Sequence, residues 1–327
     1  MTAIQYDIDS DGILTLTIDM PGQSTNIMNA DFRNALNETV QQVEADSDRI
    51  SGIIITSGKD TFFAGGDLND LFQVTRETAD QFFSAITELK SRMRTLETLG
   101  KPVVAAMNGT ALGGGYELCL ISHRRIVLDD PSIRIGLPEV TLGLLPGGGA
   151  CVRLPRLLGL EKAFPYLMEG KQIDPQTALR EGLVDELASS REELLQKARD
   201  WIKANPQSDQ PWDRKGFRIP GGGPDSPAVA QRLAIAPAML REKTMGCYPA
   251  PERIMAAAVE GAHVDVATAD RIESRYFTEI VCSQVAKNMI GTFWFGLNAI
   301  KAGGSRPDAP PRSKVSKVGI LGAGMMG

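Results

Sequence analysis

Short, mostly apolar runs alternate with longer amphipathic segments along the first half of the chain. Ile4–Ile8 and Ile13–Ile18 predict an opening hairpin that turns near Asp9–Gly12, because apolar side chains alternate with threonines in the second run. Gly52–Ser57 and Val103–Met107 are short apolar runs of the kind found in buried strands. The pattern therefore predicts two buried strands after the hairpin.

Helical patterns lie between and after these strands. Ala30–Ala45 and Glu77–Leu99 carry apolar residues at helical spacing, and Leu157–Glu169 is also predicted to be helical. Asp174-Pro175 is typical of a helix start, and Gly182 is typical of the end of that helix. Alternation of strands with helices predicts an α/β fold.

The last third of the chain has a different pattern. Gln207–Ser226 is polar and rich in proline and glycine, which predicts an exposed loop. Ala228–Gly303 is mostly helical by its spacing. Within it, Ala267–Ala302 is the clearest helix, since apolar residues recur every four positions from Val281 to Leu297.

One glycine-rich stretch, Asn108–Arg156, combines the groups that carry chemistry. Gly113–Gly115 follow a predicted strand and precede an apolar helix predicted from Tyr116, so free backbone N–H groups and the helix dipole favour negative charge there. Glu117 falls in the first turn of that helix, and Glu139 follows in a second glycine- and proline-rich loop. Glu117 could simply complement the helix dipole.

A second small-residue loop lies upstream, at Thr61–Leu68 directly after the Gly52–Ser57 strand. Two such loops could each supply one N–H group to a single oxyanion. The loss of one donor of this kind typically costs about 2.7–4 kcal/mol of transition-state stabilisation.

These segments resemble the crotonase (enoyl-CoA hydratase/isomerase) superfamily. The similar motifs are F-F-A-G-G-D-L at 62–68, N-G-T-A-L-G-G-G-Y-E-L at 108–118 and G-L-P-E-V-T-L-G-L-L-P-G-G-G at 136–149. The resemblance covers about Ile4–Leu187 and implies a β-β-α superhelical spiral followed by a mostly helical C-terminal extension. One departure is Ala150-Cys151-Val152, where members often carry Gly-Thr-Gln; it affects packing near the second glycine run.

The resemblance also implies roles for residues. Glu117 and Glu139 match the two catalytic glutamates of hydratases, and the N–H groups of Gly66 and Gly114 match the oxyanion hole for the thioester carbonyl. Asp67 is either catalytic or, as the simpler interpretation, orders its loop or caps a helix. The residues implied to contact the acyl-CoA substrate are Ala64, Gly65, Asp67, Leu68 and Gly113.

The C-terminal part resembles multifunctional fatty acid oxidation enzymes. Ala267–Ala302 is similar to their linker helix, and Val315–Leu321 is predicted to be a strand that leads into Gly322, Gly324 and Gly327, a G-x-G-x-x-G dinucleotide fingerprint. We therefore expect the N-terminal part of a longer bifunctional enzyme, with NAD used only by the longer protein. The predicted divisions are a hydratase core at 1–190, a helical and loop extension at 191–266, the linker helix at 267–303, and a linker with the start of a Rossmann domain at 304–327.

Composition excludes several classes of function. The chain has 327 residues and a formal net charge of −5, which gives no general attraction for nucleic acid. The four cysteines form no C-x-x-C pair, so we expect buried free thiols in a reducing, cytoplasmic compartment. No signal peptide or membrane span is evident. With His123 and His263 as the only histidines, a Ser-His-Asp triad or a histidine-rich metal site is not expected.

The leading hypothesis is an enoyl-CoA hydratase that needs no cofactor, CoA being part of its substrate. Glu117 would deprotonate the attacking water, and Glu139 would protonate carbon 2. The alternatives are a Δ3-Δ2-enoyl-CoA isomerase at the same site, or a non-catalytic acyl-CoA-binding module that docks a partner such as a thiolase beta subunit. An active dehydrogenase is the least expected, because the sequence given stops at the third glycine of the fingerprint.

Overall fold

The computed structural model describes residues 2–306, 314–322 and 324. The strands are β1 (Ile4–Ile8), β2 (Ile13–Ile18), β3 (Gly52–Ser57), β4 (Val103–Met107), β5 (Ala111–Leu112), β6 (Arg124–Leu128), β7 (Ile135–Gly136), β8 (Gln172–Ile173) and β9 (Glu186–Ala188). The helices are α1 (Ala30–Ala45), α2 (Leu68–Gln73), α3 (Ala79–Glu97), α4 (Gly114–Leu120), α5 (Ala150–Leu158), α6 (Leu160–Met168), α7 (Pro175–Glu181), α8 (Arg191–Ala204), α9 (Pro227–Thr244), α10 (Pro249–Gly261), α11 (Val266–Val281), α12 (Gln284–Met289) and α13 (Leu297–Lys301). Three 3-10 turns at Ser47–Arg49, Pro138–Leu142 and Pro211–Asp213 and a π-helical turn at Ile290–Gly296 complete the described elements.

Six strands form the main sheet in the order β1-β2-β3-β4-β6-β9. β1 and β2 are antiparallel, and the remaining neighbours are parallel. β3 and β4 are buried along their whole length, as expected for central parallel strands with both faces covered. The predicted α/β fold and the opening hairpin are therefore confirmed.

Two hydrophobic layers cover the main sheet. One face packs against α8, where Ile54, Val104 and Ile126 contact Leu194 and Ile202. The other face belongs to the principal core, which also takes in the buried stripes of α1, α3 and α4. The smaller sheet, in the order β5-β7-β8, brings the segment after β4 next to the Pro138–Leu142 turn.

Local capping signals place several helices where the sequence predicted them. α1 has the predicted bounds, and Asn29 caps it by accepting a hydrogen bond from the N–H of Phe32. α7 begins at Pro175 after the Asp174 cap and ends at Glu181, where Gly182 follows with a left-handed φ of 84°. Each of these ends is set by residues within one turn.

The predicted single helix at Ala267–Ala302 is wrong, because α11 ends at Val281 and α12 begins at Gln284. Ser283 is extended, and its side chain accepts a hydrogen bond from the N–H of Ala286, so it caps a new helix. The π-helical turn follows directly. The apolar repeat crosses this break, and Phe293 and Leu297 at its far end are 50% and 42% exposed.

Two other predicted segments need correction. The helical region begins earlier than Leu157, since α5 starts at Ala150 after the second glycine run. Gln207–Ser226 is not wholly exposed: Gln210 and Trp212 are buried. The Gln210 amide donates to the backbone oxygen of Ile121, just past the end of α4, which holds the loop against the core.

The strand predicted at Val315–Leu321 is not observed. These residues have no regular secondary structure and are exposed; Leu321, for example, is 96% exposed. No neighbouring strand pairs with them within the described part of the chain.

The expectation of buried thiols holds for two of the four free cysteines. Cys119 and Cys151 are buried, whereas Cys247 is exposed and Cys282 is half-buried.

Of the helices in the described ranges, none combines the length and apolar character needed to cross a bilayer.

Charged side chains join α3, α5 and α11 inside the protein. Arg153 of α5 is 1% exposed and lies between Glu97 of α3, at 2.7 Å, and Asp270 of α11, at 3.1 Å. Lys90 of α3 pairs with Glu273 of α11 at 2.6 Å, and both side chains are buried. Buried charges of this kind require their partners, because an unpaired buried charge is strongly destabilising.

Candidate active site

Two glycine loops meet where β3 and β4 end at the same edge of the main sheet. Residues 62–67 follow β3, and residues 108–113 follow β4; Phe63 bridges to Ala111. The N–H of Leu112 donates to the oxygen of Phe63 at 3.0 Å. Carboxyl ends of parallel strands are where α/β proteins commonly bind ligands.

Gly66 and Gly114 present backbone N–H groups at this junction. Gly65 lies against Gly113 and Gly114, so the two loops are in contact there. Neither the Gly66 nor the Gly114 N–H donates to a protein acceptor within the described ranges, and both residues line one cleft. Gly114 is also the first residue of α4, whose dipole favours negative charge.

The cleft has a volume of about 450 Å³ and joins these N–H groups to an apolar wall. α3 supplies Phe82, Ile86 and Leu89, and α11 supplies Phe277, whose ring meets that of Phe82 at a centroid distance of 5.2 Å. The remaining lining residues are Met28, Ala30, Arg33, Gly66, Asp67, Asp70, Leu71, Gln73, Val74, Thr78, Gln81, Ala85, Gly114, Glu117, Glu139, Leu144, Leu145, Gly147 and Gly148. Such a cleft suits an apolar chain that ends in a polarisable carbonyl.

Glu117 lies in the first turn of α4 and is only 3% exposed. One carboxylate oxygen, Oε1, accepts hydrogen bonds from the N–H groups of Gly148 at 2.7 Å and Ala150 at 2.9 Å. Burial, and then the nearby Glu273 carboxylate, raise the pKa of Glu117 to about 7, while the two N–H donors oppose the rise. Glu117 is therefore a carboxyl group that changes charge near neutral pH.

Glu139 lies at the start of the Pro138–Leu142 turn and lines the same cleft. A Cβ on Gly113 would lie 2.3 Å from its Oε1, so the glycine makes room for this carboxyl group. Its Oε2 has no hydrogen-bond partner within the described residues. Burial, and then the charge of Glu117, raise its pKa well above the usual range. Glu139, like Glu117, thus holds a proton more readily than an ordinary glutamate.

The other predicted contact residues are placed differently. Asp67 lines the cleft and accepts a hydrogen bond from the N–H of Asn69 at 2.8 Å, so it caps α2. The backbone oxygen of Gly65 accepts a hydrogen bond from the N–H of Met28. Leu68 packs on the hydrophobic core. Ala64 is exposed, and its N–H donates to the backbone oxygen of Asn26.

The incomplete dinucleotide fingerprint does not form a site in the described residues. Gly322 and Gly324 lie in exposed backbone that follows no strand, and Gly327 lies outside the described residues. A pyrophosphate site of this type needs a strand, a tight glycine turn and a helix N-terminus. The described residues therefore do not fit NAD.

Sequence reasoning missed Glu273 and Lys90. Glu273 accepts hydrogen bonds from the N–H groups of Gly149 and Cys151, both at 2.8 Å, directly beside those held by Glu117. A signal was present: Lys90 and Glu97 fall at the spacing of the buried residues Ile86 and Met93 on α3. Charged residues on an apolar stripe indicate buried ion pairs.

With this geometry in place, comparison with known proteins identifies the family. The sequence matches the enoyl-CoA hydratase/isomerase family over residues 9–209, and the chain belongs to that family. It is 34% identical over 327 residues to a fatty acid oxidation complex subunit alpha of Shewanella loihica. That match covers 97% of this chain and 44% of the relative, so the chain spans less than half the length of this relative.

Solved structures show the same fold. An enoyl-CoA hydratase from Bacillus anthracis is 26% identical with a TM-score of 0.56, and the match covers 92% of this chain and 97% of that one. An enoyl-CoA hydratase/isomerase from Mycobacterium paratuberculosis is 20% identical with a TM-score of 0.62 over 89% and 98% of the two chains. The predicted crotonase-like spiral with a helical C-terminal extension is confirmed.

Proposed function

We propose that the chain is an enoyl-CoA hydratase that adds water to trans-2-enoyl-CoA in fatty acid β-oxidation. The observation that carries this proposal is one cleft in which buried Glu117, half-buried Glu139 and two backbone N–H groups without a partner among the described residues share an apolar wall. The cleft has an element for each part of the reaction: the carbonyl, the water, the proton and the acyl chain.

In this mechanism the thioester oxygen accepts hydrogen bonds from the N–H groups of Gly66 and Gly114. They stabilise the negative charge that develops on that oxygen as water adds. Glu117 takes a proton from water while the water oxygen bonds to carbon 3, and Glu139 gives its proton to carbon 2. The product is a 3-hydroxyacyl-CoA, and the two carboxyl groups exchange roles in the reverse direction.

The hydrogen bonds support this division of roles. Two N–H donors favour the ionised form of Glu117, which a base requires. Glu139 has an oxygen without a partner and a strongly raised pKa, which suits an acid that starts protonated. Gly65, Gly113, Ala64, Asp67 and Leu68 are proposed to shape the thioester end of the substrate site.

The direct test is loss of the conjugated-enone absorbance of crotonyl-CoA when the chain is added. Turnover, with one deuterium incorporated at carbon 2 in D2O, supports the hydratase. Conversion of a 3-enoyl-CoA to a 2-enoyl-CoA without hydration would support the isomerase instead. Tight acyl-CoA binding without either reaction would support a binding module.

The catalytic rate should depend on pH in a bell-shaped manner. Glu117 must be ionised, so kcat/KM should rise as pH increases through about 7. Glu139 must be protonated, so kcat/KM should fall at higher pH as that group ionises. Initial rates measured from about pH 5 to 9 test this, and a flat profile would contradict the assignment of both groups.

Gly148→Ala should lower kcat by on the order of 10²-fold. An added Cβ would lie 2.6 Å from Oε2 of Glu117, and the flexible carboxylate would move rather than the fold. Gly223→Ala is the matched control, because nothing lies within 4 Å of its Cβ position. Steady-state kinetics on both variants test the prediction, and equal rates would show that Glu117 tolerates the displacement.

The wider context is proposed from the relatives. A fatty acid oxidation complex subunit alpha suggests that the chain acts beside a thiolase beta subunit, and that NAD serves only a longer protein. Four free cysteines support the cytoplasmic location expected from the sequence. Co-purification with a thiolase partner would test the first of these proposals.

A further inference from the structure

Glu117 and Glu273 share four consecutive backbone N–H groups. Gly148 and Ala150 donate to Glu117, while Gly149 and Cys151 donate to Glu273. These groups belong to the two residues before α5 and to its first two residues, and the first N–H groups of a helix have no partners within it. The two carboxylates thus cap one helix in alternation, from α4 on one side and α11 on the other.

Lys90 fixes the second carboxylate. Its ammonium lies 2.6 Å from Oε1 of Glu273, and it also donates to the backbone oxygen of Asp270 at 3.0 Å. Glu273 is fully buried and Lys90 is 2% exposed, so water does not replace these contacts. Lys90 of α3 therefore fixes Glu273 of α11, and Glu273 in turn fixes the start of α5.

We propose that Glu273 and Lys90 are positioning residues for Glu117: the pair locks the backbone of residues 148–151, and that backbone holds the Glu117 carboxylate in one orientation toward the cleft. This inference rests on the proposed role of Glu117. It assigns part of the active-site geometry to α11, a helix that lies more than 100 residues further along the chain.

The charges of Glu273 and Lys90 also change the pKa of Glu117. The charged groups that act on Glu117 are Glu139 from the 3-10 turn, Glu273 from α11 and Lys90 from α3. Asp270 and Arg153 act on Glu273 in turn. Glu273 raises the pKa of Glu117, and Lys90 lowers it. Loss of the Glu273 charge should consequently lower the pKa of Glu117 and extend activity toward acid.

The test compares Glu273→Gln with Asp270→Asn in the full chain. Gly149 and Cys151 donate to different oxygens of Glu273, Oε1 and Oε2. Glutamine replaces one of these oxygens with an NH2 group, which cannot accept, so one of the two N–H groups loses its acceptor. Asp270 is also buried on α11 and ion-paired, with Arg153, but its side chain accepts no hydrogen bond from the N–H groups of residues 148–151 in the described structure. Both variants remove one buried charge, and only the first disturbs the cap.

Three measurements carry the test. Hydrogen–deuterium exchange of the peptide that contains residues 148–151 should accelerate in Glu273→Gln and stay unchanged in Asp270→Asn. For crotonyl-CoA, kcat should fall by on the order of 10²-fold in Glu273→Gln, with KM little changed and the acidic limb of the pH profile moved to lower pH. Asp270→Asn should keep both the limb and most of kcat.

A double variant separates stability from positioning. Lys90→Met with Glu273→Gln removes both charges, so thermal stability should recover relative to Glu273→Gln while kcat remains low, since the acceptors for Gly149 and Cys151 are still incomplete. Recovery of kcat together with stability would overturn the inference, as would unchanged exchange at 148–151. If the parent chain does not hydrate crotonyl-CoA, the proposed function fails, whereas the exchange comparison still decides whether Glu273 holds this backbone.

Discussion

Glu117→Gln should lower kcat for crotonyl-CoA hydration by about 10²–10⁴-fold, the usual contribution of general acid–base catalysis. The substitution is unusually clean here, because both hydrogen bonds to Glu117 reach the same oxygen, Oε1. A glutamine oxygen can accept from Gly148 and Ala150 in the same way. The structure around the site is therefore preserved, and only the group that takes the proton is lost.

Glu139→Gln should produce a loss of similar size for a different reason. The amide keeps the volume next to Gly113 but cannot donate a proton to carbon 2 as a carboxylic acid does. Stopped-flow or steady-state absorbance with crotonyl-CoA measures both variants, and isothermal titration with a non-reactive acyl-CoA checks that binding is kept. Glu88→Gln on the exposed side of α3 is the control. If either active-site variant turned over at the parent rate, that glutamate would have no place in the mechanism.

Sequence patterns predicted the elements whose ends are set locally. α1 and α7 have caps within one turn, from Asn29 and Asp174, and the residues that form each cap are adjacent in sequence. β3 and β4 are short apolar runs that can only be buried. Ser283 carries a local signal that the prediction did not use, since serine is a preferred N-cap; the apolar repeat continues across it and hides the break.

The start of α5 could not be predicted in this way. No side chain near Ala150 caps the helix; its first N–H groups are held by Glu117 and Glu273, which are more than 30 and more than 120 residues away. An N-terminus with remote caps leaves no local pattern. The same distance explains why Glu273 was missed although Glu117 was found: only Glu117 lies in a recognisable motif.

In the candidate site, the sequence identified the residues but not which glutamate is ionised. The resemblance to crotonase motifs implied roles for Glu117, Glu139, Gly66 and Gly114, and the structure brings all four to one cleft. Which glutamate starts ionised depends on contacts that spacing does not reveal. Two N–H donors reach Glu117, whereas Oε2 of Glu139 has no partner among the described residues. The proposed roles therefore rest on tertiary hydrogen bonds.

The buried charges lead to the largest expected effect on stability. Arg153 contacts Glu97 through Nε and Nη2 and Asp270 through Nη1, and burial leaves no water to replace it. The two acidic partners hold the pKa of Arg153 above its ordinary value, so the guanidinium stays charged. Its removal leaves two carboxylates in the interior; Glu97 retains Arg94 at 2.9 Å, but Asp270 retains no side-chain cation within the described contacts.

Arg153→Met should therefore lower the free energy of unfolding by about 3–5 kcal/mol, as expected when one partner of a buried ion pair is removed. The methionine fills much of the space that the arginine occupied. The loss of unfolding free energy therefore comes more from the missing charge than from the missing volume. Urea unfolding followed by circular dichroism measures it. Lys203→Met, which breaks the exposed pair with Asp11, is the matched control and should move the midpoint little, because surface ion pairs contribute little to stability. An Arg153→Met midpoint as high as that control would mean that Glu97 and Asp270 do not depend on Arg153, and that α3, α5 and α11 are held together by their apolar contacts alone.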